Sequence, residues 1–298
     1  MSVKINKKAL KRKKRKERIG WSIFMAPSLL GVLTFFILPF LVFIVYAFVD
    51  NPIHMEFVGF NNFKYLFGNA AFKIAVKNTL QFSLIAVPLA VILSLLLAAL
   101  LEMKIPFKSQ LRTVFLSPMM VPIASIVLIW QVLFHYNGVI NEFIQHWGLD
   151  KIDWMKSDYA HIVIVILFLW KNLGYNMILF MAAMSSIPKD IIEVAQLESA
   201  SPWQIFIHIK LRYLSPTILF VTILSLINSF KVFREIYLLT GDYPYESLYM
   251  LQHFMNNTFR SMDYQKLSSA AILMSIVMII IIGILFVIEN YFGKDVEG

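Results

Sequence analysis

Long apolar runs alternate with short polar intervals from residue 21 almost to the end of the chain. About 20 apolar residues cross a bilayer core, and on that measure six transmembrane helices are predicted, over roughly 21–49, 78–101, 111–134, 160–184, 216–240 and 268–292. The expected fold class is all-α and polytopic, with a basic tail over 1–20 ahead of a membrane domain over 21–298. An even number of crossings returns both termini to one side. Lys104, Lys108 and Arg112 occupy the second interval and Lys189, Lys210 and Arg212 the fourth, whereas the intervals near 50–77, 135–159 and 241–267 together carry no excess of bases. The positive-inside rule therefore puts the termini and the 188–216 interval in the cytoplasm. Pro88, Pro118 and Pro122 fall in or at the start of spans two and three and mark helices that must bend.

The 188–216 interval is the one long polar stretch that still carries strong helix signals. Pro188 suits a first helical position, and Ser201-Pro202-Trp203-Gln204 reads as an N-cap, a helix-starting proline and a Gln that completes a capping box. Two short helices joined by a tight turn are predicted. The first presents Asp190, Glu193 and Glu198 outward, and the second has Trp203, Phe206, Ile207 and Leu211 at helical spacing to pack down.

Polar residues inside the fourth and fifth spans are the next signal. Span four holds Lys171, Asn172, Gly174, Tyr175 and Asn176; span five holds Ser225, Asn228, Ser229, Lys231, Arg234 and Glu235. A charge at membrane depth costs about 2.5–3.5 kcal/mol on insertion scales, so such residues face a cavity or a partner. Ser225, Asn228, Ser229 and Val232 recur every three or four residues on one stripe, and Gly174 permits close backbone approach. These spans are expected to line a path. The plainer alternative is that Lys231 and Glu235 neutralise each other at i and i+4 while Lys171 snorkels.

Composition agrees with membrane residence: 59% of residues are hydrophobic and 15% charged, with mean hydropathy +0.70, where soluble proteins carry about a quarter charged residues. The chain has no Cys, which excludes disulfides and thiolate metal sites. No phosphate-cradling Gly-rich loop, His-Glu-x-x-His pair or Gly-x-Ser-x-Gly elbow is present, so no catalytic residues, metal or bound cofactor are expected and the chain must take its energy from elsewhere. Much of the net charge of +9 lies between Lys4 and Arg18. Without interleaved aromatics and directly before a span, that run is read as an anchor for anionic membrane lipid, not a nucleic-acid site. It also fits a secretory signal poorly, because the following apolar stretch is too long and shows no small-x-small site. Trp130, Trp147 and Trp154 near span ends are read as interfacial anchors.

The interval over 188–216 resembles the EAA loop of binding-protein-dependent ABC importer permeases. Glu193 and Ala195 match its Glu-Ala-Ala; Val194 replaces one Ala, Ser199 stands at the family's Gly, and Arg212 replaces the Pro after Ile209-x-Leu211. Phe57-Val58-Gly59 with Asn62-Phe63, Asn78-Thr79-Leu80, the Ile236–Pro244 run and Tyr264–Ala270 resemble further segments of carbohydrate permeases of the maltose and glycerol-phosphate type. The likeness extends over roughly 21–292. It implies a MetI-like type I importer fold in a bacterial inner membrane, a second homologous permease, two ATP-binding cassette subunits that use ATP and Mg2+, and an extracytoplasmic solute-binding protein. Glu193, Ala195, Gln196, Ser199 and Ala200 are implied to meet the ATPase. Lys171, Asn172, Gly174, Tyr175, Ser225, Asn228, Ser229, Lys231, Val232 and Arg234 are expected along the substrate path, and the cationic members favour an acidic, uronate-containing oligosaccharide, the alternative being a neutral oligosaccharide or a glycerol-phosphate-like solute. An ion-coupled secondary transporter would need intramembrane carboxylates and internal repeats, and only Glu235 is a clear candidate. The histidines at 135, 146, 161, 208 and 253 are too scattered to build an enzyme's site.

Overall fold

The computed structural model describes residues 21–293 other than 23 and 104. The basic tail predicted over 1–20, and Lys104, lie outside the described residues. Among those described, every regular element is helical, apart from one isolated bridge between Val49 and Phe57. The chain divides into two compact units, Met1–Leu66 with Asp263–Leu273, and Phe67–Met262 with Met274–Gly298.

In the first unit, helix α1 (Phe24–Ala47) is long and apolar enough to cross a membrane and buries none of its apolar window, so that window is left for lipid or another subunit. The connection after it is packed as its aromatics suggest. Phe48 meets Phe57, Phe60 and Phe63 at centroid distances of 6.3, 5.5 and 5.4 Å, and the Asn62 amide donates to the carbonyls of Ala47 and Val49. Helix α2 (Asn61–Gly68) starts there. Tyr46 and Tyr264 also pack within this unit.

The second unit is built on α3 (Ala70–Glu102) and α7 (Ala160–Ser185), each a candidate span. Phe82, Ala86, Ala90, Ile164, Phe168 and Ile236 form a fully enclosed cluster in which alanines opposite aromatics let the helices approach closely. A second cluster joins Met177, Phe180, Leu226 and Phe230 to the later part of the final helix, α13 (Tyr264–Gly293).

The third crossing corrects the expectation of one helix over 111–134. It is two helices, α4 (Lys108–Met120) and α5 (Ile123–Leu133), meeting at 102° and followed by the short helix α6 (Val139–His146). The cause is local: Pro122 bars the preceding residue from helical backbone, and Val121 accordingly sits at φ −88°, ψ 132°. Five single helices therefore pass as candidate spans among the described residues, or six with the bent pair counted as one. Trp130 also departs from its expected place at an interface. It is buried and stacks on Phe134 at 4.9 Å and 3°, whereas Trp147 is exposed.

Gly174 on α7 is where α4 crosses. A methyl group there would lie 1.9 Å from the carbonyl oxygen of Phe115, and a backbone atom cannot swing aside. Gly174→Ala is expected to cost about 1–3 kcal/mol by forcing the two helices apart. Thermal unfolding of the purified protein in detergent measures it, and an unshifted midpoint would contradict the close crossing.

Beyond α7 come α8 (Lys189–Leu197), the short helical piece α9 (Pro202–Ile205, continued by a π turn at Phe206–Lys210), α10 (Ser215–Lys231) and α11 (Phe233–Thr240), the last two divided at Val232. Helix α12 (Leu251–Arg260) precedes α13. Its His253 is fully buried, accepts from the Met250 amide at 3.3 Å and stands perpendicular to Phe233 at 4.6 Å. Burial pushes its pKa from 6.5 down to about 4, so the folded state holds the ring neutral. Full stability is present above pH 6.5 and is lost as pH falls from there toward about 4. Amide-exchange protection over 250–260 is expected to drop across that window in the wild type and to stay level in His253→Gln.

Candidate functional site

Two polar constructions stand out against this apolar frame, and both lie in the second unit.

The first is the elbow formed by α8 and α9. Pro188 takes the N-cap of α8, one residue earlier than its composition suggests. The helix ends in a left-handed turn at Ser199, φ +63°, where the amide of Ala200 donates to the Ala195 carbonyl and that of Ser199 to the Gln196 carbonyl, both at 3.0 Å. Such a paired closure favours glycine at the left-handed residue. The capping box at the start of α9 is complete: the Ser201 amide donates to Gln204 Oε1 at 2.7 Å and the Gln204 amide to Ser201 Oγ at 3.3 Å. Lys210 then ties the elbow to the end of α3 through Glu102, at 2.6 Å.

Glu193, Gln196 and Ser199 are exposed on α8 and its turn, and Ala200 is half-buried. Ala195 is buried, so it seats α8 and does not face outward. The apolar surface of the elbow is distributed otherwise than its periodicity suggests. Trp203 does not pack down; it is 69% exposed and stacks on Phe206, while Ile205 takes the buried place. Leu197, 85% exposed, and Val194 add open apolar surface on α8 beside its acids. A monomer gains nothing by holding these side chains in water, and such exposure marks a surface that another protein covers.

A non-glycine residue in the left-handed region costs about 1–2 kcal/mol. Ser199→Gly is therefore expected to tighten the elbow by about 1 kcal/mol, and Ser199→Val to loosen it by at least as much. Amide exchange over 189–205 reads both, and identical protection in the two variants would contradict the assigned turn.

The second construction is a cavity of about 250 Å3 between α7, α5 and the α10–α11 junction, walled by Lys171, Asn172, Asn228, Lys231, Arg234 and Glu235 with apolar neighbours that include Ile123 and Val232. Three cations and one carboxylate thus share a small enclosure at membrane depth. Glu235 is buried and pairs with Lys171 at 2.5 Å, not with Lys231 four residues before it. Val232 keeps helical backbone angles and 215–240 runs as one candidate span, so it is the packing of α7 against it, not a change of spacing, that gives Glu235 its partner. Asn228 donates to Asn172 Oδ1 at 2.9 Å, and Asn172 donates in turn to the Phe168 carbonyl. Lys231 and Arg234 are exposed toward this space.

The predicted polar stripe divides. Ser225 and Ser229 turn inward and serve the helix seams, Ser225 accepting from Asn176 and Ser229 meeting Ser83, each at 2.9 Å. Interhelical hydrogen bonds of this kind average about 0.6 kcal/mol in membranes, so these two serines hold position more than they bind. Gly174 serves the α4 crossing, and Tyr175 is half-buried on α7 outside the cavity wall. The sequence reading missed Ser83, whose single hydroxyl inside an apolar run gives no pattern, and did not foresee Glu235 as the partner of Lys171.

Comparison with known proteins adds the following. The family model described as "Binding-protein-dependent transport system inner membrane component" matches residues 90–298. The lactose transport system permease protein LacF of Rhizobium radiobacter is 28% identical over 93% of this chain and 94% of its own length. The trehalose/maltose transport system permease protein MalF of Thermococcus litoralis is 28% identical over 96% of this chain and 98% of its own. Among solved structures, a chain of a bacterial ABC transporter involved in the import of the acidic polysaccharide alginate superposes with a TM-score of 0.81 at 22% identity, over 97% of this chain and all of that one.

Proposed function

The chain belongs to the family of binding-protein-dependent transport system inner membrane components, and on that premise we propose that it is the transmembrane permease subunit of an ATP-driven sugar importer. Its candidate spans make it a multi-pass membrane protein. The named cargoes of its relatives, lactose in one and trehalose and maltose in another, favour a carbohydrate. A second permease forms the other half of the path, two ATP-binding cassette subunits bind and hydrolyse ATP with Mg2+, and a solute-binding protein delivers the cargo from outside. The termini and the elbow face the cytoplasm, following the distribution of Lys and Arg.

The observation that carries the coupling half of this reading is the elbow: a rigid, capped unit with acids and uncovered apolar side chains, attached to a span at each end. Motion of a motor seated on it passes as a rigid body to α7 and α10. For the cargo, Lys171, Lys231 and Arg234 around one cavity favour an acidic oligosaccharide such as a uronate-containing fragment. The alginate importer that shares the fold carries an acidic polysaccharide. A neutral oligosaccharide is the second reading, because Glu235 already neutralises Lys171. Isothermal titration of the cognate solute-binding protein with trigalacturonate and maltotriose decides between them. Tight binding of the uronate supports the acidic cargo, and tight binding of maltotriose alone overturns it.

A further inference from the structure

A second polar cavity, of about 540 Å3, lies at the far end of the same helices from the elbow, among the first turns of α3, the start of α7 and the 3-10 turn Glu246–Leu248. Helix α3 has 33 residues and is about 50 Å long, against a hydrocarbon core of about 30 Å. Its first turns therefore project into water at the end opposite the elbow, where Lys210 binds Glu102 at the other terminus of α3.

The wall has the makeup of a saccharide site. Tyr245 offers a partly exposed ring face, Gln81 an amide, Asp158 and Glu246 carboxylates, and Lys77 an ammonium. Carboxylates and amides hold sugar hydroxyls by charge-assisted and paired hydrogen bonds, and an aromatic face takes the apolar side of a pyranose. Two further wall residues carry hydrogen-bonding capacity that the chain leaves unused: His161 Nε2 and Ser247 Oγ are buried and have no hydrogen-bond partner. Buried polar atoms in that state are costly, and a ligand or water that satisfies them is the ordinary remedy. The floor beneath is rigid, because Asn78 on α3 clamps the 246–249 turn by donating to the carbonyls of Glu246 and Tyr249 at 2.6 and 3.2 Å.

We propose that this outer cleft is a receiving subsite that holds one hydroxyl-rich sugar ring as the oligosaccharide leaves the solute-binding protein and before it reaches the cationic cavity. The proposal rests on the sugar-importer reading given above. Its acid-rich wall selects hydroxyls, while Lys171, Lys231 and Arg234 in the inner cavity attract carboxylates, so the two sites read different features of one cargo.

The test is uptake by the full complex, permeases, ATPases and binding protein, reconstituted in vesicles, with radiolabelled maltotriose and trigalacturonate as probes. Tyr245, Gln81 and Asp158 are surface side chains, so Tyr245→Ala and Gln81→Ala leave the fold intact. Each is expected to raise KM for the transported saccharide about tenfold, the worth of about 1.4 kcal/mol of lost contact, with kcat unchanged. Tyr245→Phe, which keeps the ring face, is expected to restore the wild-type KM. Affinity of the binding protein for the complex, measured separately, is expected to stay constant. An unchanged KM overturns the subsite. A fall in binding-protein affinity that accounts for the whole change in KM also overturns it, and makes the cleft a protein-docking groove. Failure of the wild-type complex to carry either probe or the cargoes named for its relatives, lactose, trehalose and maltose, is the distinct result that defeats the sugar-importer reading itself.

Discussion

Glu193→Arg is expected to abolish most of the cargo-stimulated ATP hydrolysis of the assembled importer while leaving membrane insertion normal. Glu193 is exposed, so its replacement disturbs no packing within the chain. It stands between Asp190 and Glu198 on a face that also offers Val194 and Leu197, and a partner complementary to that face is basic where it meets the acids. Placing an arginine there sets like charges together, which costs several kcal/mol at a docked surface, and each 1.4 kcal/mol is about tenfold in affinity. Stimulated hydrolysis should fall by about tenfold or more, with Glu193→Gln intermediate. Undiminished hydrolysis in Glu193→Arg would remove Glu193 from the coupling surface.

Lys171→Met is expected to be the most damaging substitution in the span region. Glu235 is 4% exposed and pairs with Lys171, itself one-third exposed on its side chain. Removing the cation strands a buried carboxylate, a loss of about 3 kcal/mol when one partner of such a pair is deleted. The double variant Lys171→Met with Glu235→Leu removes both charges and is expected to recover most of the stability without recovering uptake of a uronate cargo, because the cavity loses a cation at its wall. Thermal melts of the solubilised protein and vesicle uptake separate the two effects. A single Lys171→Met variant as stable as the wild type would show that the pair does not matter to the fold.

What could be read from the sequence follows from the physics of each feature. Five of the six predicted crossings emerge within a few residues of their predicted places, apart from the early start of α3 at Ala70, because about 20 apolar residues in a row have one use. The bent third crossing was foreshadowed by Pro118 and Pro122, but the size of the turn depends on Val121 going extended, which no periodicity encodes. The elbow was the most legible part, since capping is local chemistry: Ser201 and Gln204 need only each other. Ser199 takes the left-handed backbone that a glycine would adopt more cheaply, so a residue that gives no turn signal in the sequence closes the helix all the same.

Contacts between distant segments were harder to foresee. Lys231 and Glu235 satisfy the i, i+4 rule, yet Glu235 reaches across to a residue 64 positions earlier on α7. Ser225 and Ser229 share a stripe with Asn228, and only the packing of α3 and α7 decides that the serines face a seam while the amide faces the cavity. Trp203 misled for a different reason. A large aromatic at helical spacing ordinarily packs inward, and here it stays in the open, as Leu197 does, which fits a surface covered by a partner.

The grip on the elbow is best tested by a single reporter. The chain contains no cysteine, so Leu197→Cys introduces one thiol at the most exposed apolar side chain of α8. Maleimide labelling is compared in vesicles bearing the permeases alone and in vesicles bearing the complex with its ATPases, followed by thiol cross-linking to single cysteines on the ATPase. Seating of the motor on the elbow requires that assembly protect Cys at position 197 and that a cross-link form between the two subunits. Equal labelling in both preparations with no cross-link would contradict it.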